Sequence, residues 1–231
     1  MTVHDISKTE RTEMYLKAVY TLAQTAPPVT ISKVAEYMAV SPPASYEMLK
    51  RLETQGLLHS GTGEGHILTP QGMQTATRVV RRLRLAERLL SDILKIELPR
   101  VYAEACKLEH VISPEVEARM ATVLGHPAIC PHGLPIPGDS APPVQSLVTV
   151  AQLEVWDHAV LVCIPEEDEP FVTHLVDMGL VPGTALVVRE ATALGGPITL
   201  QIGHQIRALG LEMARRLFVR REKNEPQLPG T

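Results

Sequence analysis

A chain of 231 residues with 45% hydrophobic composition can bury one large or two to three small cores, and its net charge of −4 excludes a protein that binds nucleic acid by bulk charge. No apolar run approaches the roughly 20 residues of a membrane span and the polar stretch Met1 to Glu13 lacks the apolar centre of a secretory signal, so a cytoplasmic protein without membrane contact is expected. Cys106, Cys130 and Cys163, an odd number without an export signal, read as reduced thiols available as metal ligands or core filler rather than as a disulfide framework.

The first helix is expected over Thr12 to Gln24, where Met14, Leu16, Val19, Tyr20 and Leu22 recur with helical spacing, and Pro27-Pro28 stops it. Thr30 is a suitable N-cap for a second helix, Ile31 to Met38. Ser41 and two prolines open a third helix, Ala44 to Gln55, which Gly56 ends. Leu57 to Ser60 and His66 to Thr69 flank a tip containing Gly61, Gly63 and Gly65 and predict a hairpin. Helix, helix, turn, helix, hairpin is the order of a winged helix-turn-helix. Thr69-Pro70 then opens a long helix through Leu94, apolar at Leu85, Leu89 and Leu90 and basic at Arg78, Arg81, Arg82, Arg84 and Arg88. Two more helices are expected at Val101 to His110 and Glu115 to Leu124, followed by a proline- and glycine-rich connection over 126–147. Short strand-like runs at 159–162, 185–188, 198–201 and 217–219 predict a small, partly open β-barrel, and the tail from Glu222 to Thr231 reads as disordered.

A recognition helix presents side chains of its first turns to base edges in the major groove. Pro43, Ala44, Ser45, Tyr46 and Glu47 are the candidates here: Ala44 suits a thymine methyl and Glu47 a cytosine amine. Lys50, Arg51, Ser32 and Lys33 are candidates for phosphate contacts.

Cys106, Glu109 and His110 have the i, i+3, i+4 spacing that puts thiolate, carboxylate and imidazole on one helix face, a donor set for Fe²⁺, Mn²⁺, Co²⁺, Ni²⁺ or Zn²⁺. The same spacing also suits a core cysteine beside a solvated Glu-His edge. Cys130-Pro131-His132-Gly133 offers a second thiol and imidazole in a rigid loop, with Glu87 and the acidic run Glu166 to Glu169 as carboxylate donors; otherwise it is a tight turn with an incidental thiol.

These stretches together resemble the diphtheria toxin repressor family of iron- and manganese-dependent regulators. The resemblance is carried by Thr12-Glu13-Met14-Tyr15-Leu16, Leu85-Ala86-Glu87-Arg88-Leu89-Leu90, Glu104-Ala105-Cys106, Glu109-His110-Val111-Ile112-Ser113 and Pro135-Ile136-Pro137-Gly138. The stretch from Asp177-Met178-Gly179-Leu180 to Gly210-Leu211 is similar to that family's third domain, an SH3-like, FeoA-type module. The resemblance implies a mainly α protein with small β elements: a winged helix-turn-helix (1–72), a helical metal-binding and dimerisation domain (73–140), a linker (141–150), an SH3-like FeoA-type β-barrel (151–222) and a tail (223–231). It also implies a regulatory metal site of Met14, Cys106, Glu109 and His110. Methionine and cysteine at these places look like the iron-responsive branch, and Lys17 stands where the manganese branch has an acidic residue. Leu83 and Tyr102 replace two histidines of the iron-type second site, whereas the Cys130-Pro131-His132 loop is similar to that of streptococcal manganese regulators. The implied second site is Glu87, Cys130, His132 and Glu167, with Glu166 and Asp168 as alternative donors.

The function so implied is a Mn²⁺- or Fe²⁺-dependent homodimeric repressor of metal uptake and homeostasis genes, bound to palindromic double-stranded operator DNA. Co²⁺, Ni²⁺, Zn²⁺ and Cd²⁺ are expected as surrogates in vitro. A metalloenzyme with an open coordination position on Cys106, Glu109 and His110, or a metal-storage protein, is the competing reading.

Overall fold

The computed structural model describes residues 8–61, 63, 65–138, 147–191 and 195–222. The described residues form two compact units, one within Met1–Leu83 and Leu108–Glu117, the other within Arg84–Lys107 and Ala118–Thr231. The expected linker falls largely, and the tail over 223–231 wholly, outside the described residues. Among the described residues no helix is long and apolar enough to cross a membrane.

The first unit begins with α1 (Lys8–Thr25), which buries Tyr15, Leu16, Val19 and Leu22 and starts four residues before the expected Thr12. α2 (Ile31–Tyr37) is capped as expected, the Thr30 side chain accepting a hydrogen bond from Lys33 N. α3 (Pro42–Thr54) starts on Ser41, whose Oγ accepts from Ala44 N, and two prolines fill its first positions, where a missing N–H costs nothing. Met48, Leu49 and Leu52 of α3 meet Leu16, Val19 and Val34 in one apolar core. β1 (Leu58–Gly61) and β2 (Gly65–Leu68) form the antiparallel wing. Gly65 has φ +76°, and a Cβ there would lie 2.3 Å from Val29 O, so only glycine lets the wing press against that backbone. α4 (Pro70–Arg88) opens on Thr69, whose hydroxyl accepts from Gly72 N at 3.1 Å and donates to Gly56 O at 2.7 Å.

Two helix expectations are corrected. The long helix leaves α geometry after Arg88 for a π turn, Leu89–Ile93, marked by Leu94 N donating to Leu89 O, and left-handed Lys95 (φ +59°) then ends it. α5 (Leu98–Cys106) stops four residues short of His110. Lys107 N bonds Glu104 O and Val111 N bonds Leu108 O, so three-residue turns replace the helical ladder, and Ser113-Pro114 opens α6 (Pro114–Val123). Cys106 therefore closes a helix while Glu109 and His110 lie in the turn after it; the three do not share a helix face.

The second unit holds an antiparallel sheet of β3 (Val148–Thr149), β4 (His158–Cys163), β5 (Ala185–Ala191), β6 (Ile198–Ile202), β7 (Gln205–Leu209) and β8 (Phe218–Arg221), ordered β3-β8-β4-β5-β6-β7. α7 (Glu169–Asp177) and the short α8 (Leu211–Ala214) sit in its connections. Leu161, Val172, Leu175, Leu186, Val188, Leu200 and Val219 fill its core, and Leu98 of α5 packs onto it.

Candidate metal centre

Four buried donors converge in the second unit. Glu87 comes from the last turn of α4, Cys130 and His132 from the loop after α6, and Glu166 from the segment between β4 and α7. Each is at most 4% exposed, and their ligand atoms lie within 4.8 Å of one another, compatible with donors about 2.0–2.3 Å from a single ion. The loop is held by Cys130 N donating to Leu134 O, Gly133 N to Cys130 O and Ile164 N to His132 O. Gly133 has φ +84°, and a Cβ there would stand 1.8 Å from Val162 O; glycine is what lets the loop lie on β4.

Burial and like charge dominate the electrostatics of the cluster. His132 Nδ1 is 3.1 Å from Glu87 Oε1 but out of line for a hydrogen bond; both Glu87 oxygens and both His132 nitrogens are buried without a hydrogen-bond partner among the described residues. Buried orphans of this kind require an explanation, and thiol, imidazole and two carboxylates suit a divalent first-row ion. Burial, with the charges of Glu87 and Glu166, pushes the Cys130 thiol well up. Burial also raises Glu166 to about 7 against the pull of the Arg84 guanidinium. Burial opposes protonation of His132, but its interaction with Glu87 and the charges of Glu87 and Glu166 outweigh it and raise its pKa. Arg84 is the residue that reading the sequence missed. Its Nη2 lies 3.5 Å from Glu166 Oε1 and its Nη1 donates to Pro135 O at 2.5 Å. Its position one turn before Glu87 on the same helix was the available signal.

The acidic run divides its work differently from the expected register. Glu166, not Glu167, faces the cluster; Glu167 is exposed. Asp168 is committed elsewhere, accepting from Phe171 N as the cap of α7 and from Arg216. The correction follows from chain direction: beyond Cys163 the strand has ended, and residue parity no longer fixes which carboxylate points inward.

In the first unit Glu109 and His110 meet α1. His110 Nδ1 is 2.8 Å from Glu13 Oε2, which leaves Nε2 for a ligand role, and Nε2 lies 3.2 Å from Glu109 Oε1. Lys17 Nζ donates to the same Glu109 oxygen at 2.5 Å. Burial works against a charged His110, but hydrogen bonds to Glu109 and Glu13 and the charges of both carboxylates outweigh it and raise it to about 9. Met14 is half-buried on α1, next to Glu13. Cys106 belongs to the second unit and is half-buried. Glu13 and Lys17 were not singled out as site residues on the sequence, although i, i+4 spacing puts them on one face of α1.

Of the nucleic-acid candidates, Ser32, Pro43, Ala44, Tyr46, Glu47, Lys50 and Arg51 are exposed. Ser45 is corrected: it is fully buried, its hydroxyl donating to Ile31 O where α2 packs on α3. Lys33 is corrected in part, since its ammonium donates to Ala26 O and Pro28 O and holds the α1–α2 connection.

Comparison with known proteins places this geometry. Residues 8–65 match the family model "Iron dependent repressor, N-terminal DNA binding domain", residues 69–138 match "Iron dependent repressor, metal binding and dimerisation domain", and residues 148–221 match the FeoA domain. The iron-dependent repressor IdeR of Mycobacterium tuberculosis (strain ATCC 25618 / H37Rv) is 35% identical over 231 residues, covering 91% of this chain and 96% of the relative. A manganese-dependent transcriptional repressor solved in complex with manganese superposes with a TM-score of 0.85 at 28% identity, over 91% of this chain and 100% of that one. ScaR with bound Cd²⁺ superposes with a TM-score of 0.80 at 28% identity, over 91% of this chain and 99% of that one.

Proposed function

The chain belongs to the diphtheria toxin repressor family of metal-dependent transcriptional repressors, and from that premise we propose that it is a homodimeric repressor of metal uptake and homeostasis genes, activated by Mn²⁺ or Fe²⁺ at palindromic operators. The observation that carries the reading is the buried quartet Glu87, Cys130, His132 and Glu166 with its orphaned carboxylate and imidazole atoms. Relatives named as repressors rather than enzymes leave the metalloenzyme and storage readings without support.

Two residue sets do the work. Glu87, Cys130, His132 and Glu166 hold one ion, and Met14, Glu109 and His110 hold the regulatory one. A bound divalent ion supplies the positive charge that lets these carboxylates and the thiolate be held together. Glu13 aims the His110 ring by holding its Nδ1. On α3, Pro43, Ala44, Tyr46 and Glu47 face base edges, while Lys50, Arg51 and Ser32 meet phosphates. The dimer sets the spacing of two such helices along one face of the duplex. Differential metal affinity for the DNA-competent arrangement, about 1–3 kcal/mol per site, changes operator affinity roughly 5–150-fold.

Operator binding measured by fluorescence anisotropy, anaerobically and with Fe²⁺ and Mn²⁺ titrated separately, tests this. Wild type gains affinity with one of the two ions and Glu109→Gln does not, at unchanged circular dichroism. Metal-independent binding by wild type, or full metal response in Glu109→Gln, overturns the assignment.

A further inference from the structure

Glu109 is 1% exposed, yet its two oxygens have different fates. Oε1 carries the Lys17 ammonium at 2.5 Å and faces His110 Nε2 at 3.2 Å. Oε2 is buried with no hydrogen-bond partner among the described residues. Lys17 is itself buried, at 7% exposure, so its charge is poorly screened where it meets the carboxylate. An ion bound by either oxygen of Glu109 therefore sits across one carboxylate group from a buried positive charge. A divalent ion and an ammonium at that separation repel each other through a medium that screens little, so one must give way. The long flexible stem makes Lys17 the partner that can move: four methylenes let the ammonium swing away, whereas the Glu109 carboxylate rides on only two.

We propose that Lys17 is a resident cation that competes with the regulatory metal for Glu109 and so raises the metal concentration at which that site fills. The inference rests on the reading of Glu109 and His110 as ligands. It makes Lys17 a threshold-setting residue: displacing it costs each divalent ion the same free energy, so the metal concentration needed for filling rises by one common factor. The opposite role is physically distinct. An ammonium that stayed on Oε1 while the metal took Oε2 would hold the carboxylate in place, and removing it would weaken binding.

The test is calorimetric titration of Mn²⁺ at pH 8 into the full-length protein carrying Glu87→Gln, which leaves one centre to observe. Lys17→Gln in that background binds Mn²⁺ at least about tenfold tighter, and Lys17→Arg stays near the parent value because it keeps the charge. Lys17→Met, which keeps the stem's apolar packing, serves as the second neutral variant should Lys17→Gln not fold. Unchanged or weaker Mn²⁺ binding in the neutral variants overturns the competition. If the parent binds no Mn²⁺ that Glu109→Gln removes, the ligand reading falls and the proposal with it.

Discussion

Replacing Glu166 by Gln separates the register seen in the structure from the one expected from the sequence, and its effect has opposite signs with and without metal. The carboxyl is raised from an ordinary 4.5 to about 7, with burial the main cause. The folded protein thus holds that proton more tightly than the unfolded chain. Stability is present in full below the unfolded value, declines as pH rises from 4.5 to about 7, and is lost above it, at a cost on the order of 3 kcal/mol. Gln carries no charge to desolvate and still offers Arg84 a carbonyl acceptor. The attraction of Arg84 is already contained in that net shift, so the substitution recovers up to about 3 kcal/mol. At pH 8 in chelator, Glu166→Gln should unfold several degrees above wild type, since 1 kcal/mol moves Tm by roughly 2–4 °C in a chain of this size.

With Mn²⁺ at about a hundred times its Kd, a filled site adds about 2.7 kcal/mol to the wild type. Glu166→Gln should lose that increment and drop from two ions per chain to one. Glu167→Gln, whose carboxylate is exposed, should match wild type in both respects. Scanning calorimetry in chelator and in Mn²⁺, with titration calorimetry for stoichiometry, reads all of these. Two ions bound by Glu166→Gln, with one lost from Glu167→Gln, would refute the reasoning.

Other consequences are independent of that pair. Gly133→Ala forces a Cβ to 1.8 Å from Val162 O at φ +84°; a loss of about 2 kcal/mol or more and of the second ion is expected, and wild-type metal stoichiometry would show that the loop has room. Because burial raises both Glu166 and the Cys130 thiol, metal entering at pH 7 must displace protons. Affinity at that centre should fall as pH drops from 8 to 6, and the measured heat should vary with the ionisation enthalpy of the buffer; a buffer-independent heat counts against it. Val123 is 70% exposed on α6, and Val123→Asp should shift a micromolar dimer toward monomer in sedimentation velocity, whereas an unchanged dimer removes α6 from the interface.

The winged helix-turn-helix was legible because its signals are local. Ser41 with the prolines after it, Gly56 at the end of α3 and the glycines of the wing each answer to a backbone requirement within a few residues. The end of α5 was not legible, because Val101 to His110 keeps an acceptable helical composition and the three-residue turns after Cys106 leave no mark in it. β7 was missed for a related reason: Gln205, Ile206 and Ala208 are exposed, so the strand lacks the alternation that identifies a half-buried one. The buried quartet of candidate ligands was three-quarters legible. Cys130 and His132 announce themselves in one loop, but which carboxylate joins them depends on where the chain turns after β4.

Both centres set a basic side chain against one of their carboxylates, and the two pairs are built differently. Arg84 is tied to Pro135 O at 2.5 Å and stands 3.5 Å from Glu166. Its guanidinium can stay on that carbonyl while Glu166 turns its charge to an ion, because the fork has donors to divide between partners. Lys17 carries its ammonium on a flexible stem and places it on the Glu109 oxygen at 2.5 Å. Removing Arg84 therefore leaves Glu166 less charged and a poorer ligand, whereas removing Lys17 takes away a competitor. Neutralising a basic residue should thus weaken metal binding in the second unit and strengthen it in the first, an asymmetry that follows from how each cation is anchored rather than from its charge.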